Sequence, residues 1–303
     1  MKRWQADFLL GLTGLIWGFG FVAQKDASAH IGAFTFVACR FLISALFVLP
    51  FVAREDGFRR FTPTLIKTGY VPKTIALCAA FFAAVTLQQY GAFFTTVTNA
   101  AFLTGIYIVM VPFVGLLLYR HRVSPSILFV AGLSLFGIGL LTGVDVRHLL
   151  AGFNHGDVFM LLCAVCFAFQ VTIMGHVVGA TRMPFTLSFA QYLSTGLIAL
   201  ALAACYETFD VHAILSAWLP ILYTGIASGG IAYTLQAVAQ QHTPSADSSI
   251  IMGSGETLFG GLGGAWLLHE TMNLSGYAGC AMILASIILV ELIPYLQTKL
   301  ARA

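Results

Sequence analysis

One carboxylate in this chain sits where its neighbours offer it no water. Glu256 falls inside Gly253-Ser254-Gly255-Glu256-Thr257-Leu258-Phe259-Gly260-Gly261-Leu262-Gly263-Gly264, a stretch otherwise apolar or small. An acid at the centre of a membrane-spanning helix costs roughly 2.5 kcal/mol or more. Its chemistry is open between two roles. A carboxyl group deprived of water takes up a proton more readily, so Glu256 is a candidate for binding and releasing protons. It is equally a candidate for meeting the ammonium group of a small molecule. The competing reading is structural: an ion pair with Arg40, the one basic residue inside the apolar segments. Counted from the outer helix ends, Arg40 lies about 12 Å deep and Glu256 about 18 Å. An arginine side chain covers that difference if the two helices adjoin. An unpaired Arg40 must face the protein interior or reach outward to the headgroups.

Further polar residues fall at similar depths: Gln88, Gln89 and Tyr90 together, Asn99 and Tyr107, Gln170 and Thr172, Tyr233 and Gln236, with Trp17 near the N-terminus. Side-chain amides in hydrocarbon need hydrogen-bond partners, so adjacent Gln88 and Gln89 cannot both face lipid. A polar cavity lined by the first, third, fourth, sixth, eighth and ninth apolar segments would satisfy them. The alternative is that they bond neighbouring helices. Gly253 and Gly255 beside the acid, and the Gly260-x-x-x-Gly264 spacing after it, fit either close helix packing or a hinge. Pro112 is the corresponding irregularity in the fourth segment.

The elements that must position these groups are set by composition. Of 303 residues, 59% are hydrophobic and 9% are Asp, Glu, Lys or Arg, against about 25% charged in a soluble chain. Ten segments reach membrane-spanning length: 6–24, 32–53, 74–94, 99–119, 125–143, 156–177, 185–205, 217–239, 246–268 and 275–294. Each is long enough at about 1.5 Å per residue to cross roughly 30 Å of hydrocarbon. The expected fold is an all-α integral membrane protein of ten helices. With the N-terminus inside, twelve basic residues fall on the cytoplasmic side, five of them in the long connection 54–73, and only Lys25 and Arg147 fall outside. That asymmetry predicts both termini in the cytoplasm.

The two halves, 1–150 and 151–303, resemble each other. Asp7 aligns with Asp157, Trp17 with Phe167, Arg40-Phe41-Leu42 with Gln191-Tyr192-Leu193, and the stretch ending at Pro112 with the one ending at Thr257. Five helices per half is odd, so the halves must be inverted, a plan in which the site lies near the midplane between them.

Other chemistries are disfavoured. Six cysteines lie in or beside apolar segments, and Cys163-x-x-Cys166 has no βαβ setting. The histidines sit singly without metal-ligand spacing, and His242 with Asp247 occupies a turn where Ser245 or Asp247 is placed to cap the next helix. There is no nucleotide-binding loop, no metal or cofactor site and no basic-aromatic patch for nucleic acid.

These residues resemble the drug/metabolite transporter superfamily, specifically its EamA-type permeases, across nearly the whole chain. Trp17-Gly18-Phe19-Gly20-Phe21 is similar to the family's Trp-Gly-x-x-Phe, and Arg40 stands where its second-helix arginine does. Glu256-Thr257 keeps the acid of a Glu-Pro pair and Val111-Pro112 keeps the proline. Leu268-His269-Glu270 resembles the terminal Gly-Glu pair. The resemblance implies a ten-helix basket in a bacterial cytoplasmic membrane that moves small metabolites, often amino acids, usually outwards, as a monomer or homodimer and with protons as a possible coupling ion. Relatives that carry phosphorylated solutes use paired Lys or Arg, and a lone Arg40 disfavours such a cargo. An uptake permease or exchanger of the same fold is the alternative, and a membrane enzyme or packing subunit the alternative of another class.

Overall fold

The computed structural model describes residues 1–120, 123–143, 154–267 and 274–300, and for 98, 261–267, 291 and 294–300 the backbone alone. Among these residues the chain is mostly helical, with no strand. The helices are α1 (Arg3–Gly18), α2 (Gly20–Ser28), α3 (Ala33–Arg54), α4 (Gly57–Thr68), α5 (Val71–Phe94), α6 (Val97–Gly105), α7 (Tyr107–Tyr119), α8 (Pro125–Thr142), α9 (His155–Thr181), α10 (Pro184–Tyr206), α11 (Val211–Ser216), α12 (Trp218–Leu222), α13 (Thr234–Ala239), α14 (Ser245–Leu267) and α15 (Leu274–Leu300). A segment of wide π-type turns, Tyr223–Tyr233, joins α12 to α13. Helix starts carry the expected chemistry: Pro72, Pro125 and Pro184 stand in the first turns of α5, α8 and α10. Asn154 and Asp157 form a capping box on α9.

Among the described residues, seven helices are long and apolar enough to cross a membrane: α1 with α2, α3, α5, residues Asn99–Tyr119, α8, α9 and α10. The three remaining expected segments map onto the α12–π–α13 stack, α14 and α15. Two expected spans are interrupted, at Phe19 between α1 and α2 and at Ile106 between α6 and α7. The connection 54–73 is itself largely helical, as α4.

Packing joins the front of the chain to its back. α3 lies along α10, α5 along α9, α1 along α14, and α8 along α15. The α3–α10 pair is tied at both ends by the same device. Glu207, just past α10, accepts the backbone N–H of Phe34 at 2.9 Å and of Thr35 at 2.8 Å, and the Thr35 hydroxyl at 2.7 Å. Glu55, just past α3, accepts Phe185 N–H at 3.4 Å, Thr186 N–H at 2.8 Å and the Thr186 hydroxyl. Each carboxylate thus satisfies orphan donors at the positive start of the other helix. A second reciprocal pair links the repeat-related acids: Thr243 donates to Asp7 at 2.9 Å and Thr95 to Asp157 at 2.6 Å.

α1 and α14 touch backbone to backbone. A Cβ on Gly14 would stand 2.7 Å from the Met252 carbonyl oxygen, and one on Gly18 would stand 2.7 Å from the Gly260 nitrogen. Neither neighbour can move without moving the helix. Gly14→Ala or Gly18→Ala is therefore expected to destabilise the bundle by about 1–3 kcal/mol. Gly11→Ala, with nothing within 4 Å of its Cβ, is expected to leave melting in detergent unchanged. Equal melting temperatures for all three variants would refute this packing.

Candidate functional site: a closed cavity between the two halves

The close approach of α1 and α14 brings Glu256 to the bundle centre. There it lines a narrow cavity of about 20 Å³ together with Trp17, Gly20, Gln24, Arg40, Gln88, Thr104, Tyr107, Phe167, Gln170, Val171, Ser228, Tyr233 and Met252. That volume holds one or two waters. Four rings, Trp17, Tyr107, Phe167 and Tyr233, stand in its wall. Tyr233 lies tilted at 53° against Trp17, ring centroids 4.5 Å apart, and meets Phe81 edge-on at 4.9 Å. Tyr107 and Phe167 stand 6.2 Å apart. The Trp17 indole N–H donates to the Ser228 carbonyl at 3.3 Å, which holds the ring against the π segment.

Arg40 is fully buried, at 1% exposure. Its guanidinium lies 4.7 Å from the Phe41 ring centroid and 5.6 Å from that of Phe36. Nη2 donates a long 3.4 Å hydrogen bond to the Ser228 hydroxyl, while Nε and Nη1 have no protein partner. The π segment supplies that geometry. Ser44 on α3 donates to the Arg40 carbonyl at 2.8 Å and to the Gly225 carbonyl at 2.7 Å, clamping the π turns beside Arg40. Wide turns of this kind collect at functional sites because they free carbonyls and side chains from the helical ladder.

Among the described residues no ion pair within 4 Å joins Arg40 to Glu256; the pairs present are Arg3 with Asp7 and Arg3 with Asp247. The structural ion pair considered from the sequence is thus not formed in this conformation. Both charged groups instead face the same cavity.

A chain of side-chain amides closes the cavity on one side. Gln170 donates to Gln191 at 3.1 Å, Gln236 donates to Gln170 at 3.3 Å and to Gln240 at 3.1 Å, and Gln240 donates to the Val171 carbonyl at 3.0 Å. Beyond Gln240 opens a vestibule of about 520 Å³, lined by Pro112, Tyr119, Thr172, His176, Thr243, Ser245 and Asp247 among others. Gln170 borders the inner cavity and Gln240 the vestibule, so the partition is about one amide chain thick. Arg3 donates to Asp247 at 2.6 Å, which places the vestibule at the end of the bundle that carries the N-terminus.

The sequence-derived candidates divide accordingly. Trp17, Arg40, Gln88, Tyr107, Gln170, Tyr233 and Glu256 line the cavity. Gln236 lies in the amide partition and Pro112 in the vestibule wall. Gln89 faces elsewhere and donates to the Gln24 carbonyl at 3.2 Å. Tyr90 packs edge-on against Phe34 at 5.3 Å, near the Glu207 clamp. Gly253 lies against Tyr107 and Ile108, Gly255 against Gly14, and Gly260 against Gly18, within an α14 that is unbroken there. Gly264 is described by its backbone alone, and His269 and Glu270 lie outside the described residues. Asp247 stands in the first turn of α14, where it receives Arg3. Gln24, Thr104 and Ser228 complete the wall and are not among the residues that sequence reasoning singles out. Ser228 falls within the Gly225-x-x-x-Gly229 pattern and is hidden by it.

The sequence pattern of the EamA-like transporter family matches this chain twice, over residues 4–143 and 154–292. The chain belongs to the EamA-like transporter family. A protein of Archaeoglobus fulgidus described as "Uncharacterized transporter" is 30% identical to it over 298 residues, covering 96% of this chain and 87% of that one. A solved structure described as "Crystal structure of protein" superposes with a TM-score of 0.74 over 96% of this chain and 98% of its own, at 15% identity, and so attests the fold alone. This EamA-like protein is an integral membrane transporter, with a small-molecule solute and membrane lipid as its partners, and not an enzyme.

Proposed function

We propose that this EamA-like transporter exports amino acids with apolar side chains, or close relatives of them, across a bacterial cytoplasmic membrane. The observation that carries this reading is the presence of a guanidinium and a carboxylate on one cavity wall with no ion pair between them. Once the cavity widens beyond its present volume of about 20 Å³, a zwitterion supplies what both lack: its carboxylate answers the free Nε–H and Nη1–H of Arg40, and its ammonium answers Glu256. Bidentate guanidinium–carboxylate pairing gives such a site orientation as well as affinity. Of the remaining wall, Trp17, Phe167, Val171, Tyr233 and Met252 offer contact to an apolar side chain, beside the polar Gln24, Gln88, Thr104, Tyr107, Gln170 and Ser228. A single chain encloses the whole cavity, so a monomer suffices.

The mechanism we infer is alternating access between two inverted five-helix repeats, residues 1–150 and 151–303, ten spans in all with both termini in the cytoplasm. The reciprocal Glu55 and Glu207 clamps, the Asp7 and Asp157 pairs and the double family match support the inversion. The charge distribution supports the orientation. In that orientation the vestibule faces the cytoplasm, and opening the Gln170–Gln236–Gln240 partition admits the solute. On the outer side, protonation of Glu256 cancels the charge that held the ammonium and releases it, so that a proton returns inward for each solute exported.

Efflux from loaded proteoliposomes tests the proposal. A panel of apolar, polar and charged amino acids is assayed with and without an inward proton gradient. The expected result is efflux of the apolar members, accelerated by the gradient. Absence of flux for every amino acid would overturn it.

A further inference from the structure

The connection between the second and third spans does more than link them. α4 is strongly two-sided. Gly57 and Leu65 are buried and Phe61 packs on a core cluster that includes Leu77, Ile173 and Leu187. Arg59, Arg60 and Lys67 are exposed on the opposite arc. Between the arcs Phe58 is 63% exposed and Ile66 is 68% exposed. Left-handed residues bound the helix at Asp56 (φ 56°) and Gly69 (φ 71°), so the chain turns sharply into and out of it. Its depth is set by neighbours: Glu55 clamps the start of α10, and the Phe58 ring meets Phe189, in the second turn of α10, edge-on at 6.0 Å. A helix at the start of a spanning helix, with apolar flanks and an outward basic arc, has the build of an interfacial helix.

We propose that α4 lies in the headgroup plane and docks acidic phospholipid, its phosphate held by Arg59, Arg60 and Lys67 and its acyl chains laid against Phe58 and Ile66. Charge complementarity selects this occupant. The connection 54–73 carries five basic residues against Glu55 and Asp56, and Glu55 is engaged by α10. Exposed apolar side chains beside the cations favour a lipid over a free anion. The site also abuts the transport path. Tyr70 and Lys73, immediately after α4, hold the His176 ring nitrogen at 3.1 and 3.0 Å in the vestibule wall.

The test titrates the detergent-purified protein with dioctanoyl phosphatidylglycerol and follows its melting temperature. Dioctanoyl phosphatidylcholine and glycerol phosphate serve as the two controls. A saturable upward shift is expected with phosphatidylglycerol alone. In Arg59→Gln/Arg60→Gln/Lys67→Gln the apparent affinity is expected to fall about a hundredfold, roughly fivefold for each cation. Should the triple variant be poorly folded, Arg60→Gln alone is expected to show the single fivefold step. An equal response of the variants and wild type would overturn the proposal. So would an equal response to glycerol phosphate, which would indicate simple anion binding, or to phosphatidylcholine, which would indicate solvation by any lipid.

Discussion

Glu256→Gln is expected to fold normally, to bind solute about 10–100-fold more weakly than wild type, and to lose the pH dependence of binding. Glutamine keeps the shape and hydrogen-bonding capacity of the acid and removes its charge, so it imitates the protonated state permanently. The weakening corresponds to one charge-assisted hydrogen bond, about 1.5–3 kcal/mol. The sign in wild type follows from the same account. The ionised carboxylate attracts the ammonium, so affinity is high where Glu256 is charged and falls as acid protonates it. Arg40, Tyr107, Tyr233 and Cys163 are the other ionisable groups in electrostatic reach of this centre, and Glu256 is the one carboxylate among the described cavity residues. Measuring solute affinity between pH 5 and 8 for both proteins checks this. A Gln variant with the wild-type pH profile would place the titrating group elsewhere.

Arg40→Met carries the second large effect, and it separates a substrate-binding arginine from a structural one. Removing one partner of a buried ion pair strands the other charge and costs about 3–5 kcal/mol of stability. Arg40 has no such partner here; two of its three nitrogens lack any protein acceptor. The Met variant fills similar space, breaks no ion pair, and is expected to melt at or above the wild-type temperature. Solute binding is expected to fall by about 10–100-fold, because the solute carboxylate no longer has a charged donor to meet. A sharp drop in melting temperature together with retained binding would instead assign Arg40 to the scaffold.

The helical membrane architecture and half of the cavity wall are legible in the sequence, because a charge or amide in a long apolar run has few tolerable places. Glu256, Arg40, Gln88 and Gln170 stand out for that reason, and the cavity gathers them. Position along a helix does not report which way a side chain turns, so Gln88 and Gln89 read alike while only Gln88 lines the cavity. Tyr90 continues the same run yet belongs to an aromatic pair near the Glu207 clamp. Glu55 and Glu207 carry no such signal, because an acid at a segment edge looks like ordinary solvated charge. Only the antiparallel pairing of α3 with α10 turns each toward a helix start. Ser228 is obscured by the glycines around it, whose close-packing signal says nothing of the π turns that aim its hydroxyl at Arg40. The basic residues of 54–73 read first as an orientation signal, although Phe58, Phe61 and Leu65 at helical spacing also mark an amphipathic helix.

The central claim is that one solute bridges Arg40 and Glu256. Calorimetric titration of the purified protein with leucine, with 3-methylbutylamine, which lacks the carboxylate, and with 4-methylpentanoate, which lacks the ammonium, tests it most directly. Leucine is expected to bind at least about tenfold more tightly than either analogue, since each analogue forgoes one charge-assisted hydrogen bond. Arg40→Met is further expected to erase the advantage of leucine over the amine, and Glu256→Gln its advantage over the acid. Equal binding of all three compounds to the wild-type protein would contradict that claim.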